Sequence, residues 1–239
     1  MNSFGVGGPV DSSGDLRLRH YADLVEQGGL RAAVASIAIE HKADIGATAK
    51  EGEPGAQVWS AADFASPRGP MRVNLGRDAR RFAITLDGDR GHIWASGSTA
   101  NLVEVVEVLA FWRQGAKLKE LSNRFPFMEF DRLSQAYEDG NPVEVQWGII
   151  LGDDNFHLDR ELLLALREDP NLCQLFPYFS HWTLRMSKDC SDDQAGEILI
   201  QRSLGEGYVI WSSFAPTQTR EFRRIDELIR AAVSILADF

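Results

Sequence analysis

Ser180 and His181 close the stretch FPYFSH at 176–181 and run directly into WTLRMSK, which alternates apolar and polar residues. An imidazole is the side chain best suited to moving a proton near neutral pH, and a neighbouring hydroxyl can orient it. On a strand starting at Trp182, His181, Thr183 and Arg185 fall on one face, while Trp182, Leu184 and Met186 fall on the other and point to the core. His181 is therefore the candidate catalytic acid or base. Thr183 and Arg185 are candidate substrate-binding residues, the guanidinium serving as an anion anchor. Trp94 and Trp211 end strand-like runs beside Ser-rich turns. They complete the set of candidate binding residues, since an indole offers an apolar face and one N–H donor. A lone histidine without an identifiable partner is more often structural, packed between aromatics, and the sequence leaves open whether the protein is an enzyme.

Other chemistries find less support. Cys173 sits in a helical turn, and Cys190 lies in KDCSDDQ, where carboxylates raise a thiol pKa and blunt the nucleophile. The five histidines, at 20, 41, 92, 157 and 181, show no metal-ligand spacing, and there is no CxxC. The acidic runs at 152–154 and 189–193 do not match a calcium loop and read as solvated turns. GVGG at 5–8 is not followed by a Lys-Ser/Thr pair, so it fails as a phosphate loop. No metal and no cofactor is expected, and the residues name no reaction.

The side chains need a scaffold, and composition bounds it. Apolar residues make up 44% of 239 residues, enough for a substantial core. No apolar run approaches the roughly eighteen residues of a spanning helix. The N-terminal MNSFGVGGPVDSSGD lacks the basic and apolar segments of a secretory signal. With only two cysteines there is no disulfide framework, so the chain reads as cytoplasmic, with no membrane association. The net charge of −10 is uneven: residues 1–125 carry 15 Lys+Arg and 15 Asp+Glu, residues 126–239 carry 10 and 20. An acidic second half argues against binding to a phosphate backbone there, so no nucleic acid is expected; it suits a basic protein partner or simply keeps the protein in solution.

Hydrophobic spacing predicts a Gly- and Ser-rich tail over 1–14, then two α+β halves over 15–127 and 128–239. Helices are expected from Asp15 to the Gly28-Gly29 stop and from Leu30 to about His41. A loop over 44–67 holds at most a short strand at Gln57–Ser60. Strands are expected at Met71–Leu75, Arg81–Leu86 and His92–Ser96, the last two joined by a hairpin at 87–91. A helix capped by the Gly97-Ser98-Thr99 hydroxyls runs to Arg113. In the second half, Asn141-Pro142 opens a segment around Trp147 whose spacing fits a helix or a strand, and a helix carries Leu158, Leu162 and Leu166. Strands follow at Trp182–Ser187, Glu197–Arg202 and Tyr208–Ser212, then a helix over Arg220–Ala237 that buries Phe222. The aromatic knots FPF and FPYF read as hinges. GHIWASGST at 91–99 echoes GYVIWSSFAPT at 207–217, which leaves open a true duplication or two ordinary strand-turn-helix units.

Two blocks carry a family resemblance. In the first, Gly97, Ser98 and Thr99 lead into a helix that ends at Trp112 and Gly115, followed by Leu118, Leu121 and Phe125-Pro126-Phe127. The second runs from Asp169-Pro170 through Leu172, Leu175, Phe176 and Pro177 to Ser180-His181. Together they resemble an uncharacterised bacterial family labelled "natural product biosynthesis protein", over most of the chain from about residue 15. The stretch SSFAPTQTREF is more polar than that family's glycine- and proline-rich equivalent. The resemblance implies a shared fold and a place in a biosynthetic pathway, with a peptide or small-molecule intermediate as ligand. It carries over no catalytic residue. The alternative is an acidic immunity or antitoxin-like protein that binds and blocks a toxin. Oligomeric state stays open.

Overall fold

The computed structural model describes residues 12–46, 59–88, 92–189, 192, 194–203 and 205–239, with residues 12–18 by backbone alone. The expected strand start at Gln57, the hairpin tip at 89–91 and Cys190 lie outside the described residues. So does the expected tail up to residue 11, and its last three positions already belong to the first helix. The chain divides into two compact units, Met1–Gln135 and Ala136–Phe239.

In the first unit, α1 (Ser12–Glu26) breaks its helical geometry at Tyr21 and α2 (Leu30–Glu40) follows the Gly28-Gly29 turn. Strands β1 (Ala61–Ser66), β2 (Gly69–Leu75), β3 (Phe82–Asp87) and β4 (Ile93–Thr99) form an antiparallel meander. Helices α3 (Leu102–Arg113) and α4 (Leu118–Arg124) then bring the chain back, so that β5 (Met128–Glu129) pairs with β4. The period-2 burial of Ala62 and Phe64, Met71 and Val73, and Phe82, Ile84 and Leu86 makes one apolar face, which shares a core with α2 and α3. The hydroxyl of buried Tyr21 sits 2.9 Å from the carbonyl oxygen of Gly76 and accepts the Arg81 N–H at 3.1 Å, tying the kink in α1 to the β2–β3 connection. Beside it Arg80 holds Asp23 in a two-pronged ion pair that keeps the carboxyl below its ordinary pKa.

Helix α5 (Arg132–Asp139) carries the chain across the division. In the second unit α6 (Pro142–Gly152) opens with Pro at its first turn, which settles the helix-or-strand ambiguity around Trp147 as helix. A 3-10 turn (Asp154–Asp159) precedes α7 (Arg160–Glu168), leaving Leu158 exposed rather than in the helix stripe. The second sheet is an antiparallel meander of β6 (Phe176–Ser180), β7 (Thr183–Ser187), β8 (Glu197–Arg202), β9 (Tyr208–Ser212) and β10 (Ala215–Phe222), followed by α8 (Ile225–Leu236). Leu184, Met186, Ile198, Ile200 and Ile210 line one face and share a core with Trp147, Leu162, Leu166, Leu228 and Ile235 of the helices.

The fold is thus α+β, with two similar halves, each a five-stranded antiparallel sheet packed by amphipathic helices. The echoing segments fall on the fourth strand of each meander, β4 and β9. The halves diverge after that strand: β4 leads to a helix, β9 to another strand. Four further expectations need correcting. Helix α3 is capped by Asn101, whose side chain accepts the Val103 N–H, while Gly97-Ser98-Thr99 belongs to β4. FPYFS is strand β6, not a hinge. The segment 61–66, expected as loop, is β1, whose small residues gave a weak strand signal. Phe222 ends β10, and the last helix starts at Ile225 because 215–222 extends the sheet.

Candidate functional site

Register decides which candidate residues meet. Tyr178 pairs with Arg185, Arg185 with Leu199, and Leu199 with Trp211, a row across four strands. The next row on the same face is Ser180, Thr183, Gln201, Val209 and Glu221. Thr183, Arg185 and Trp211 therefore share one face, opposite the face that meets the helices. Adjacent strands lie about 4.8 Å apart, so the Cα atoms of Arg185 and Trp211 are about 10 Å apart. Leu199, Val209 and Trp211 are half-buried there and lie outside the helix-facing core.

Arg185 is not the free cation that the sequence suggests. Its Nε donates to Glu197 Oε2 at 2.9 Å, its Nη2 bonds the same oxygen, and its guanidinium lies 5.5 Å from the Tyr178 ring centre. The Tyr178 hydroxyl donates to the other oxygen of Glu197. This network fixes Arg185 flat on the sheet and neutralises it, so it shapes the face rather than presenting a charge. Trp211 differs: its indole N–H has no acceptor among the described residues. It also faces a gap in the pairing. Ser212 pairs with Ala215 and Ile210 pairs with Arg220, so Trp211 alone stands opposite four residues, 216–219. β10 bulges away from β9 at that point and is the sheet's edge, with Pro216 to Glu221 all exposed.

His181 does not join that face. His181 and Trp182 have φ of 49° and 63°, and Ser180 pairs with Thr183. The two residues form a tight hairpin turn of the mirror-image type, which ordinarily takes Asn-Gly. Trp182, expected in the core, is 80% exposed, and His181 is exposed with its Nδ1 3.1 Å from Ser180 Oγ. The alternation of WTLRMS therefore continues one residue too far in a sequence reading. An L-residue in the left-handed region costs about 1–2 kcal/mol. Replacing His181-Trp182 by Asn-Gly is expected to stabilise the second unit by about 1–2 kcal/mol. The thermal midpoint should rise by several degrees, at roughly 4–8 °C per kcal/mol for a unit of this size. An unchanged or lowered midpoint contradicts the strain.

Trp94 belongs to β4 of the first unit, not to the sheet that carries this group. Its Nε1–H donates to the Arg68 carbonyl oxygen at 3.1 Å. The Arg68 guanidinium stacks 3.3 Å from the centre of the Trp112 ring and also bonds the Ala116 carbonyl oxygen. His92 packs edge-on against Trp94 at 4.7 Å, and burial pushes its pKa down. Trp94 is thus a member of a stacked cation–aromatic cluster with its donor already engaged.

The second unit also has a cavity of about 590 Å³ where the β8–β9 turn meets the starts of α7 and α8. Arg202, Arg223 and Arg224 face Glu161, Glu206 and Asp226 there, so its charges balance. Arg202 donates to Asp159 at 3.2 Å and to the hydroxyl of Tyr208, whose pKa burial raises. Among the described residues no group of three or more His, Cys, Asp or Glu is placed to hold a metal ion. No described helix is long and apolar enough to cross a membrane.

Sequence reasoning missed Tyr178, Glu197 and the β10 bulge. Pro216 was the available signal, because proline in a sheet is confined to edges and bulges. No curated protein and no solved structure matches the chain. A family model described as "Family of unknown function (DUF6193)" matches residues 141–238, within the second unit.

Proposed function

We propose that this protein binds a peptide in extended form along the β10 edge of its second unit, with Trp211 as the anchor. In the natural-product pathway that the sequence resemblance implies, the peptide is a biosynthetic intermediate. The observation that carries this reading is the bulge of four residues against Trp211. It leaves backbone donors and acceptors on an exposed edge next to a half-buried indole with an unengaged N–H. Strand addition uses such an edge for affinity and such a neighbouring side chain for specificity. The charge of the second unit, 9 Lys+Arg against 18 Asp+Glu, selects a basic peptide.

Titration of tryptophan fluorescence with short unstructured peptides rich in Lys, Arg and β-branched residues tests this. Trp211→Ala is expected to weaken binding about tenfold or more, as loss of a central aromatic anchor does. Acidic peptides of the same length should not bind. Equal affinity of the wild-type chain and Trp211→Ala sinks the reading. The acidity of the second unit supports a second reading, in which a basic toxin is bound and blocked. That reading requires a folded partner, and tight binding of an isolated unstructured peptide argues against it.

A further inference from the structure

The face of the second sheet that points away from the helices carries three charged side chains among its paired residues, Arg185, Glu197 and Glu221. Arg185 and Glu197 neutralise each other. Glu221 is exposed and has no partner among the described residues. It pairs with Val209, which makes it the diagonal neighbour of Trp211, two residues further along β9 on the same face. No residue of β10 pairs with Trp211 itself, because the strand bulges away there. The indole therefore borders a gap that has a carboxylate at one end. Arg220, the adjacent cation in sequence, pairs with Ile210 of the core row and belongs to the opposite face.

We propose, resting on peptide addition along β10, that the gap between Trp211 and Glu221 is a side-chain subsite that reads arginine in the bound peptide. A guanidinium stacks flat on an indole and offers a planar fork of N–H donors to a carboxylate, which a lysine ammonium does not. Diagonal neighbours in a sheet lie about 7–8 Å apart, within the reach of one arginine laid across the indole. The neighbouring Arg185 does not oppose such a guest, since Glu197 already neutralises its charge. A carboxylate side chain at the same place in the peptide would meet the like charge of Glu221, and an aliphatic one would leave Glu221 unpaired. The β10 backbone thus supplies the affinity shared by all extended peptides, and Glu221 is the specificity residue.

Calorimetric titration of the full chain with a short Thr- and Val-rich peptide bearing one central arginine, and with the same peptide bearing citrulline, tests this. Citrulline keeps nearly the shape of arginine and lacks its charge. The wild-type chain is expected to bind the arginine peptide about tenfold more tightly, the usual scale for a charge-assisted bond joined to a cation–π contact. Glu221→Gln should bind the two peptides with nearly equal affinity and keep the wild-type affinity for the citrulline peptide. Its melting temperature should not change, because Glu221 is exposed. Glu168→Gln removes the same charge from exposed α7 surface in the helix layer and should keep the preference for arginine. Equal binding of the two peptides by the wild-type chain overturns the proposal. So does a preference that survives Glu221→Gln, or one lost equally in Glu168→Gln, which traces the selection to overall charge. In each of these cases peptide addition itself stands. Binding of neither peptide removes that reading and the arginine subsite with it.

Discussion

Replacing Trp147 by alanine is expected to cost the second unit about 3–5 kcal/mol, much of the roughly 5–15 kcal/mol that holds a domain together. The side chain is fully buried in α6, in the core shared by the sheet, α7 and α8. Its Nε1–H donates to the carbonyl oxygens of Cys173 and Leu175, each at 3.1 Å, in the connection that leads into β6. The substitution thus removes the largest side chain of that core and leaves two carbonyls short of a donor, and the two costs act together. Trp147→Phe keeps most of the packing and loses only the donor, so it should fall between the two. Urea denaturation followed by circular dichroism checks the order. A shift of the Trp147→Ala transition worth less than about 1 kcal/mol is incompatible with this packing.

The second large effect is expected at Gly97. A Cβ there comes within 2.2 Å of the Phe127 carbonyl oxygen, 2.7 Å of Met128 Sδ and 3.0 Å of Met128 Cα. Two of these are backbone atoms that no rotamer change can move, so β5 must be pushed off β4 at the Gly97–Met128 pair. Overpacking of this sort costs about 1–3 kcal/mol or more. Gly97→Ala should destabilise the first unit by that amount, and Gly97→Val by more. Hydrogen exchange of the amides around Ser96 and Met128 should quicken. Wild-type stability in Gly97→Ala contradicts the close approach. The same contact explains a sequence pattern: the backbone of the Phe125-Pro126-Phe127 stretch requires the glycine of the distant Gly97-Ser98-Thr99 end of β4. The two ends of the first hallmark block are partners in space.

Most elements are legible in the sequence because their periods are clean. The stripe of Leu102, Val105, Val106, Leu109 and Trp112 is buried in α3 as its spacing requires, and β8 and β9 fall where alternation places them. The misreading of Trp182 arises because turn chemistry there departs from its usual residues. His-Trp in a hairpin turn carries no Gly or Asn signal, so alternation alone starts the strand one residue early and sends Trp182 to the core. At the candidate site, Thr183, Arg185 and Trp211 are legible as face-sharing residues. Arg185's partner is not, because Glu197 comes from β8, twelve residues away, and only register aligns the two. The β10 bulge depends on an unpaired stretch that no local spacing encodes. Pro216 hints at an edge strand, but the count of four residues against one emerges only from pairing.

Addition of a peptide to the β10 edge beside Trp211 is tested most directly by amide hydrogen exchange of the second unit. Exchange is compared with and without a basic peptide that perturbs the tryptophan fluorescence. Strand addition should slow exchange at the amides of Thr217 to Glu221, leave the β6 edge unchanged, and lose this protection in Trp211→Ala. Protection confined to other segments, or none at β10 under saturating peptide, contradicts it.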